Sequence, residues 1–174
     1  GKIIKRIRGY LGKEKAKRST ILVNDLVHQS IEFLKDEIKK RNVTLTLNLK
    51  DDVGMMIVDQ IQIEQVISNL VRNALESIEE ASHDKREIVI QTYKHAGHVE
   101  VIIIDTGKGF ADDGIDEVFN PFFTTKPVGK GTGLGLSLSF NIIEKHNGEL
   151  QVSSKVGQGT CFSIMLPLKH VETD

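Results

Sequence analysis

Two asparagines, Asn69 and Asn73, stand four residues apart in the run Asn-Leu-Val-Arg-Asn-Ala-Leu-Glu. On a helix that separation puts both amides on one face. Gln62, Gln65, Glu76 and Glu80 extend the same polar stripe. Amide oxygens are hard, neutral donors. They suit an Mg²⁺ ion that keeps several waters and takes its other ligands from phosphates. Taken alone, the pair is better explained as a solvated helix face, since two asparagines prove nothing. A second constellation is Asp105-Thr106-Gly107-Lys108-Gly109, directly after the apolar run Val101–Ile104. A fixed carboxylate at a strand end can accept from an exocyclic amine, and the glycines let a flat ligand approach the backbone. Alone it also reads as an ordinary strand-to-turn junction. The third is Gly129-Lys130-Gly131-Thr132-Gly133-Leu134-Gly135-Leu136. Glycines before a helix start leave N–H groups free for phosphate oxygens, and the helix N-terminus adds positive potential. Thr132 can cap that helix or touch a phosphate. The order fits neither a P-loop nor a dinucleotide fingerprint. It reads as a phosphate cradle of another kind, with a flexible hinge as the alternative. Lys126 and Lys130 flank it and are placed to pair with phosphates. Phe119, Phe122 and Phe123 cluster in the same polar stretch and read as anchors for the loop.

The elements that must position these groups follow from periodicity. Ile3, Ile4, Ile7 and Leu11 recur at helical spacing, so 2–11 reads as the end of a helix. The charged stretch from Gly12 to Thr20 reads as a linker. Leu26, Val27, Ile31, Leu34 and Ile38 predict one helix from Asn24 to Arg41, with Asn24 as its N-cap. Residues 43–49 alternate as a strand with one buried face. The longest helical pattern is 59–80, with Ile63, Ile67, Leu70, Ala74 and Ile78 facing a core. Strands follow at about 87–94 and 98–105. A long stretch with little periodicity, 106–132, is the kind of loop that carries function. A helix over about 133–146 ends at Asn147-Gly148, and strands at about 149–154 and 160–166 flank Gly157-Gln158-Gly159. The order predicts an α+β fold, a two-layer α/β sandwich with helices on one face of a mixed, largely antiparallel sheet.

The chain has 174 residues, a formal net charge of −1 and 39% hydrophobic residues. That excludes low-complexity disorder and allows a core without metals or disulfides. The single cysteine, Cys161, excludes a disulfide framework and reads as a buried thiol. No apolar run reaches the length of a membrane span, so membrane contact is not expected and a cytoplasmic setting is. Residues 1–18 hold eight basic residues and one acid, Glu14. With aromatic interleaving limited to Tyr10, this reads as a solvated helix end and not a nucleic-acid arm.

In this order the motifs resemble the catalytic and ATP-binding domain of sensor histidine kinases, within the ATPase superfamily shared with gyrase, heat-shock chaperones and mismatch-repair ATPases. The match covers roughly 20–168. It comprises an N box at 69–73, glycine boxes at 105–109 and 131–136, a phenylalanine box at 119–123 and the ending Gly157-x-Gly-Thr-x-Phe162. Asn-Ala-Leu-Glu with Phe-Phe-Thr-Thr-Lys resembles the branch of nitrogen- and oxygen-sensing kinases.

The resemblance implies ATP and Mg²⁺ as cofactors. Asp105 would hold the adenine amine, with Thr160 assisting through water, and Gly107 and Gly109 would shape that loop. Asn73 would ligate Mg²⁺, with Asn69 beside it. Gly131, Thr132, Gly133, Leu134, Gly135 and Leu136 would cradle the phosphates, and 108–132 would be a long ATP lid. Hydrolytic relatives carry a Glu where this chain has Asn69, which fits an enzyme that transfers its phosphoryl group and withholds it from water. Glu76 stands where many relatives carry a Lys. None of the six histidines has a phosphoacceptor context. The resemblance therefore implies that residues 1–19 end a dimerisation helix and linker, and that 20–170 are the catalytic domain. The acceptor His would lie on a dimerisation domain outside this chain and pass the group to the receiver domain of a response regulator. The alternatives are an anti-sigma-factor-type serine kinase and a non-catalytic nucleotide-sensing or docking module.

Overall fold

A computed structural model of the chain describes residues 17–110, 119 and 135–170. The expected helix over 2–11, Phe122 and Phe123, and most of the lid lie outside those residues. Eleven elements are described. In order they are β1 (Arg18–Leu22), α1 (Val23–Glu32), α2 (Lys35–Lys40), β2 (Thr44–Leu49), β3 (Met55–Asp59), α3 (Gln60–Glu79), β4 (Glu87–His95), β5 (His98–Asp105), α4 (Gly135–Lys145), β6 (Glu149–Lys155) and β7 (Gly159–Pro167).

Five strands form one sheet in the order β2-β4-β5-β7-β6. Only β2 and β4 run parallel; the other pairs are antiparallel. Side chains alternate across the pleat. Ile88 and Ile90 of β4, Val101 and Ile103 of β5, and Phe162 and Ile164 of β7 are buried on one face. α3 crosses that face with Ile63, Ile67, Leu70, Ala74 and Ile78 all buried, and α1 and α4 pack beside it. The α+β sandwich expected from the sequence is therefore the observed fold.

Four local expectations are corrected. Residues 18–20, read as linker, open β1, which pairs antiparallel with β3 in a separate ribbon. β3 itself was not expected. It runs into α3 without a turn, because Asp59 ends the strand and its carboxylate accepts from Gln62 N–H at 3.3 Å to cap the helix. The helix expected over 24–41 breaks at Phe33 and Leu34, leaving Phe33 81% exposed and Leu34 buried. Asn24 is not an N-cap; Leu22 holds that position. The Asn24 amide instead donates to Lys50 O at 2.8 Å and accepts from the buried Thr92 hydroxyl at 3.1 Å. That hydroxyl in turn accepts from Lys50 N–H. Burying Thr92 without such partners would be costly.

The end of α4 follows the expectation. Asn147 adopts a left-handed φ of 59° and Gly148 N–H bonds back to Ile143 O at 2.9 Å, the closing bond of a Schellman motif. His146, just before it, is buried. Its Nε2 accepts from Asp59 N–H at 3.1 Å, so Nδ1 carries the proton and donates to Ile142 O at 2.8 Å. The imidazole thus joins the end of α4 to the β3–α3 junction. His146→Ala leaves the Asp59 N–H without its acceptor and opens space in the core. It is expected to lower unfolding free energy by roughly 1–3 kcal/mol in a urea titration; a loss below about 0.5 kcal/mol would show that the bond carries no stability.

Candidate nucleotide-binding site

Three elements bring the sequence-predicted residues together. β5 ends in Asp105, only 3% exposed. Its neighbour across the sheet is Thr160, also buried, and the next along the same row is Ser154 on β6. Asp105 Oδ1 accepts from Gly107 N–H at 2.8 Å. Burial pushes the carboxyl up to about 6, against the lowering effect of bonds from Gly107 N–H and Thr160 N–H. No cation pairs with it among the described residues. An acceptor of this kind is poised for an uncharged donor such as an exocyclic amine.

The loop after Asp105 is seated on α3. Lys108 N–H donates to the Ser77 hydroxyl at 3.0 Å and to Ser77 O at 3.2 Å. The Lys108 ammonium pairs with Glu80. A Cβ on Gly107 would fall 2.6 Å from Ser77 Cβ, so glycine is required there by space. At Gly109 the requirement is doubled: φ is +72°, and a Cβ would run into the Lys155 carbonyl. The other side of the loop is held by the β6–β7 turn. Gly157 N–H donates to Lys108 O at 2.7 Å, and Phe110 N–H donates to Ser154 Oγ at 2.7 Å.

Farther up α3, Asn69 Nδ2 donates to Gly135 O at 3.2 Å and lies 3.5 Å from Ser139 Oγ. It therefore ties α3 to the first turn of α4, where Leu136 packs against the core. Asn73 lies between these two attachments. It is half-buried, and its amide has no hydrogen-bond partner among the described residues. An unclaimed amide oxygen fits the donor type expected for Mg²⁺. No group of three or more His, Cys, Asp or Glu stands together among the described residues. Gln62, expected on the solvated stripe, is instead buried at the start of α3.

Phe119 stacks on Phe140 of α4 with ring centroids 5.3 Å apart, as expected of a loop anchor. Lys126, Lys130, Gly131, Thr132, Gly133 and Leu134 lie outside the described residues. Cys161 is half-buried, less than expected, on the outer face of β7. Burial raises its pKa, with the Glu100 and Asp105 carboxylates adding to the effect, which disfavours the thiolate.

Ser77 and Ser154 were not singled out from sequence. Ser77 was legible: it continues Asn69 and Asn73 at four-residue spacing. Ser154 was not, because only the β6–β7 register sets it beside Thr160.

A buried carboxylate at a strand end, an amide pair on one helix and a helix start that glycines precede in the sequence fit an ATP-binding catalytic fold of the kinase and chaperone type. Residues 58–170 match the family model described as histidine kinase-, DNA gyrase B- and HSP90-like ATPase. The chain belongs to that family and is a histidine kinase catalytic domain. It is 35% identical over 168 residues to the sensor protein FixL of Bradyrhizobium diazoefficiens, covering 96% of this chain and 32% of FixL. It is 33% identical over 153 residues to the sensor histidine kinase ZraS of Escherichia coli, covering 87% of this chain and 31% of ZraS. The chain thus spans about a third of the length of the curated relatives it matches. Among solved structures, a nucleotide-free catalytic domain of histidine kinase ThkA superposes with a TM-score of 0.74 at 28% identity. That match covers 86% of this chain and 95% of the ThkA chain. No helix among the described residues is long and apolar enough to cross a membrane.

The raised Asp105 pKa has a direct consequence for stability. A carboxyl that titrates near 6 when folded and near 3.8 otherwise favours the fold below pH 3.8. That contribution is lost as pH rises through 6. Asp105→Asn removes the buried charge. It should therefore stabilise the nucleotide-free chain at pH 7.5 by up to roughly 3 kcal/mol, with the difference shrinking toward zero near pH 4. Thermal melts at the two pH values check this. An equal loss of Tm at both would show that the charge is not uncompensated.

Proposed function

We propose that this domain binds ATP·Mg²⁺ between α3 and the Asp105–Thr160–Ser154 row and presents the γ-phosphoryl group to a histidine on a dimerisation domain outside the chain. A receiver aspartate on a response regulator then takes the group. Asp105 accepts the adenine amine, with Thr160 and the Gly107–Gly109 loop completing the purine end. Asn73 holds the metal, with Asn69 beside it. Gly131 to Leu136 cradle the phosphates, and Lys126 or Lys130 supplies positive charge to them. The residues before β1 are the end of the dimerisation helix with its linker, the catalytic domain runs from β1 to 170, and both work in the cytoplasm. The observation that carries this reading is the pairing, on one frame, of a buried carboxylate and a half-buried amide that have, among the described residues, neither a cation nor a hydrogen-bond partner respectively.

The chain's residues act by positioning. Ser77 sets the purine loop against α3, and Asn69 sets the start of α4 against the same helix. The distance between the two ends of the nucleotide is thereby fixed along α3, which holds it for in-line attack. Mg²⁺, when bound, neutralises charge on the β- and γ-phosphate oxygens. Asn69 is an amide engaged with Gly135 O; it cannot take a proton from water, so the phosphoryl group is kept for transfer.

With the dimerisation domain of the same kinase supplied in trans, γ-labelled ATP and Mg²⁺ should put an acid-labile, alkali-stable label on that domain and none on this chain. Asn73→Ala should cut the rate at least roughly tenfold. An acid-stable label would indicate a serine kinase. Tight ATP binding without any transfer would indicate a nucleotide-sensing module.

A further inference from the structure

The β1–β3 ribbon has an outer edge that the rest of the domain covers in part. Val23, which follows β1, donates its N–H to Gly54 O at 3.1 Å. Gly54, and with it Met56 and Val58, thus turn their backbone groups toward β1, and the alternate residues of β3 turn theirs away. The bonds made on that far side agree. Met55 O accepts from Lys169 N–H at 2.7 Å, and Asp59 N–H donates to His146 Nε2 at 3.1 Å. Ile57 lies between these two on the same edge. Its N–H and C=O have no partner among the described residues, which leaves one rung of a strand edge open.

That rung borders an open cavity of about 200 Å³, lined by Ile57 and Val58, by Arg18 at the start of β1, and by Pro167 to His170 at the end of β7. No acidic residue lines it among the described residues. Arg18 spends one guanidinium N–H on Lys145 O at 2.8 Å. The Lys169 ammonium has no partner among the described residues. The volume falls below the roughly 300–1,000 Å³ of pockets for drug-sized ligands, so it suits a molecule of amino-acid size. The cavity is also remote from the nucleotide residues. At a strand rise of about 3.3 Å per residue, Thr160 and Pro167 stand about 23 Å apart along β7.

We propose that this cavity is a second ligand site, which takes a small N-acylated amino acid with an aliphatic side chain. The ligand's amide N–H donates to Ile57 O and its carboxylate accepts from Ile57 N–H, as the last residue of an added strand would. Arg18 and Lys169 pair with the same carboxylate. Val58, Pro167 and Leu168 give the aliphatic side chain an apolar wall. A free amino acid fits less well, because its ammonium group would stand among cations with no acid to balance it. The site joins the start of β1 to the end of β7 and leaves the nucleotide site unobstructed.

The test is amide NMR of the ¹⁵N-labelled full chain titrated with N-acetyl-L-leucine, with L-leucine and N-acetyl-L-leucinamide as comparisons at matched ionic strength. N-acetyl-L-leucine should move the Ile57 and Lys169 signals saturably. The amide, which lacks the carboxylate, should bind at least roughly tenfold more weakly, and L-leucine should also bind more weakly. Arg18→Gln should weaken N-acetyl-L-leucine roughly tenfold. Lys169→Gln, at an exposed side chain whose loss leaves the fold intact, should weaken it roughly threefold, and Lys169→Arg should restore it. ADP added at saturation should leave the affinity unchanged. Ile57 and Lys169 signals that stay still at millimolar N-acetyl-L-leucine would overturn the proposal. Equal binding of the leucinamide, or displacement of the ligand by ADP, would overturn it as well.

Discussion

A carboxylate buried at the end of a central strand, with two backbone N–H groups for company and no cation among the described residues, sets the terms for the rest of the molecule. Asp105 sits in the row that on its β4 side is occupied by Ile88. Its position on the core face of β5 removes it from water, and burial outweighs the bonds from Gly107 and Thr160. Such a group persists only where the surrounding structure holds it in place. Here that hold comes from both flanks: Ser77 of α3 and Glu80, which caps its C-terminus, grip Lys108, and Ser154 with the β6–β7 turn grips Lys108 and Phe110.

α3 is the second fixed element. Its apolar face is buried against the sheet over almost its whole length, so it cannot shift without disturbing the core. Asn69, Asn73 and Ser77 lie half-buried along one flank of that face at four-residue spacing. The first is bonded to the start of α4 and the last to the loop after Asp105, with Asn73 between them, unpartnered among the described residues. In the proposed reading the helix thus sets the spacing between the purine end and the phosphate end of the nucleotide. The Phe119–Phe140 stack brings Phe119 onto α4, the element whose start is tied to Asn69.

Much of this was legible from residue types, because the chemistry constrains the backbone. Gly107, Gly109 and Gly159 are glycines for reasons of space or φ, and such requirements show in any sequence that meets them. Asp105 and the two asparagines were legible for the same reason: few other residues supply those acceptors at those places. What escaped had no local marker. Met55–Asp59 abuts α3 with no turn residue between, since Asp59 serves both elements. The break at Phe33 contains neither Gly nor Pro, so the apolar period ran straight through it. Asn24 looked like a cap because Asn favours that position, but the buried Thr92 hydroxyl claimed its side chain. Ser154 depended wholly on strand register, which periodicity within one strand cannot reveal.

The central claim is that Asp105 and Asn73 serve one ligand. Amide NMR of the ¹⁵N-labelled chain tests it: ADP is titrated in, then Mn²⁺ is added as a paramagnetic stand-in for Mg²⁺. One shared site predicts that ADP shifts the Gly107 and Thr160 signals, and that Mn²⁺ then broadens Asn69 and Asn73 only to the extent that ADP is bound. Broadening at Asn73 that ignores ADP, or Gly107 and Thr160 signals that never move, would contradict the account.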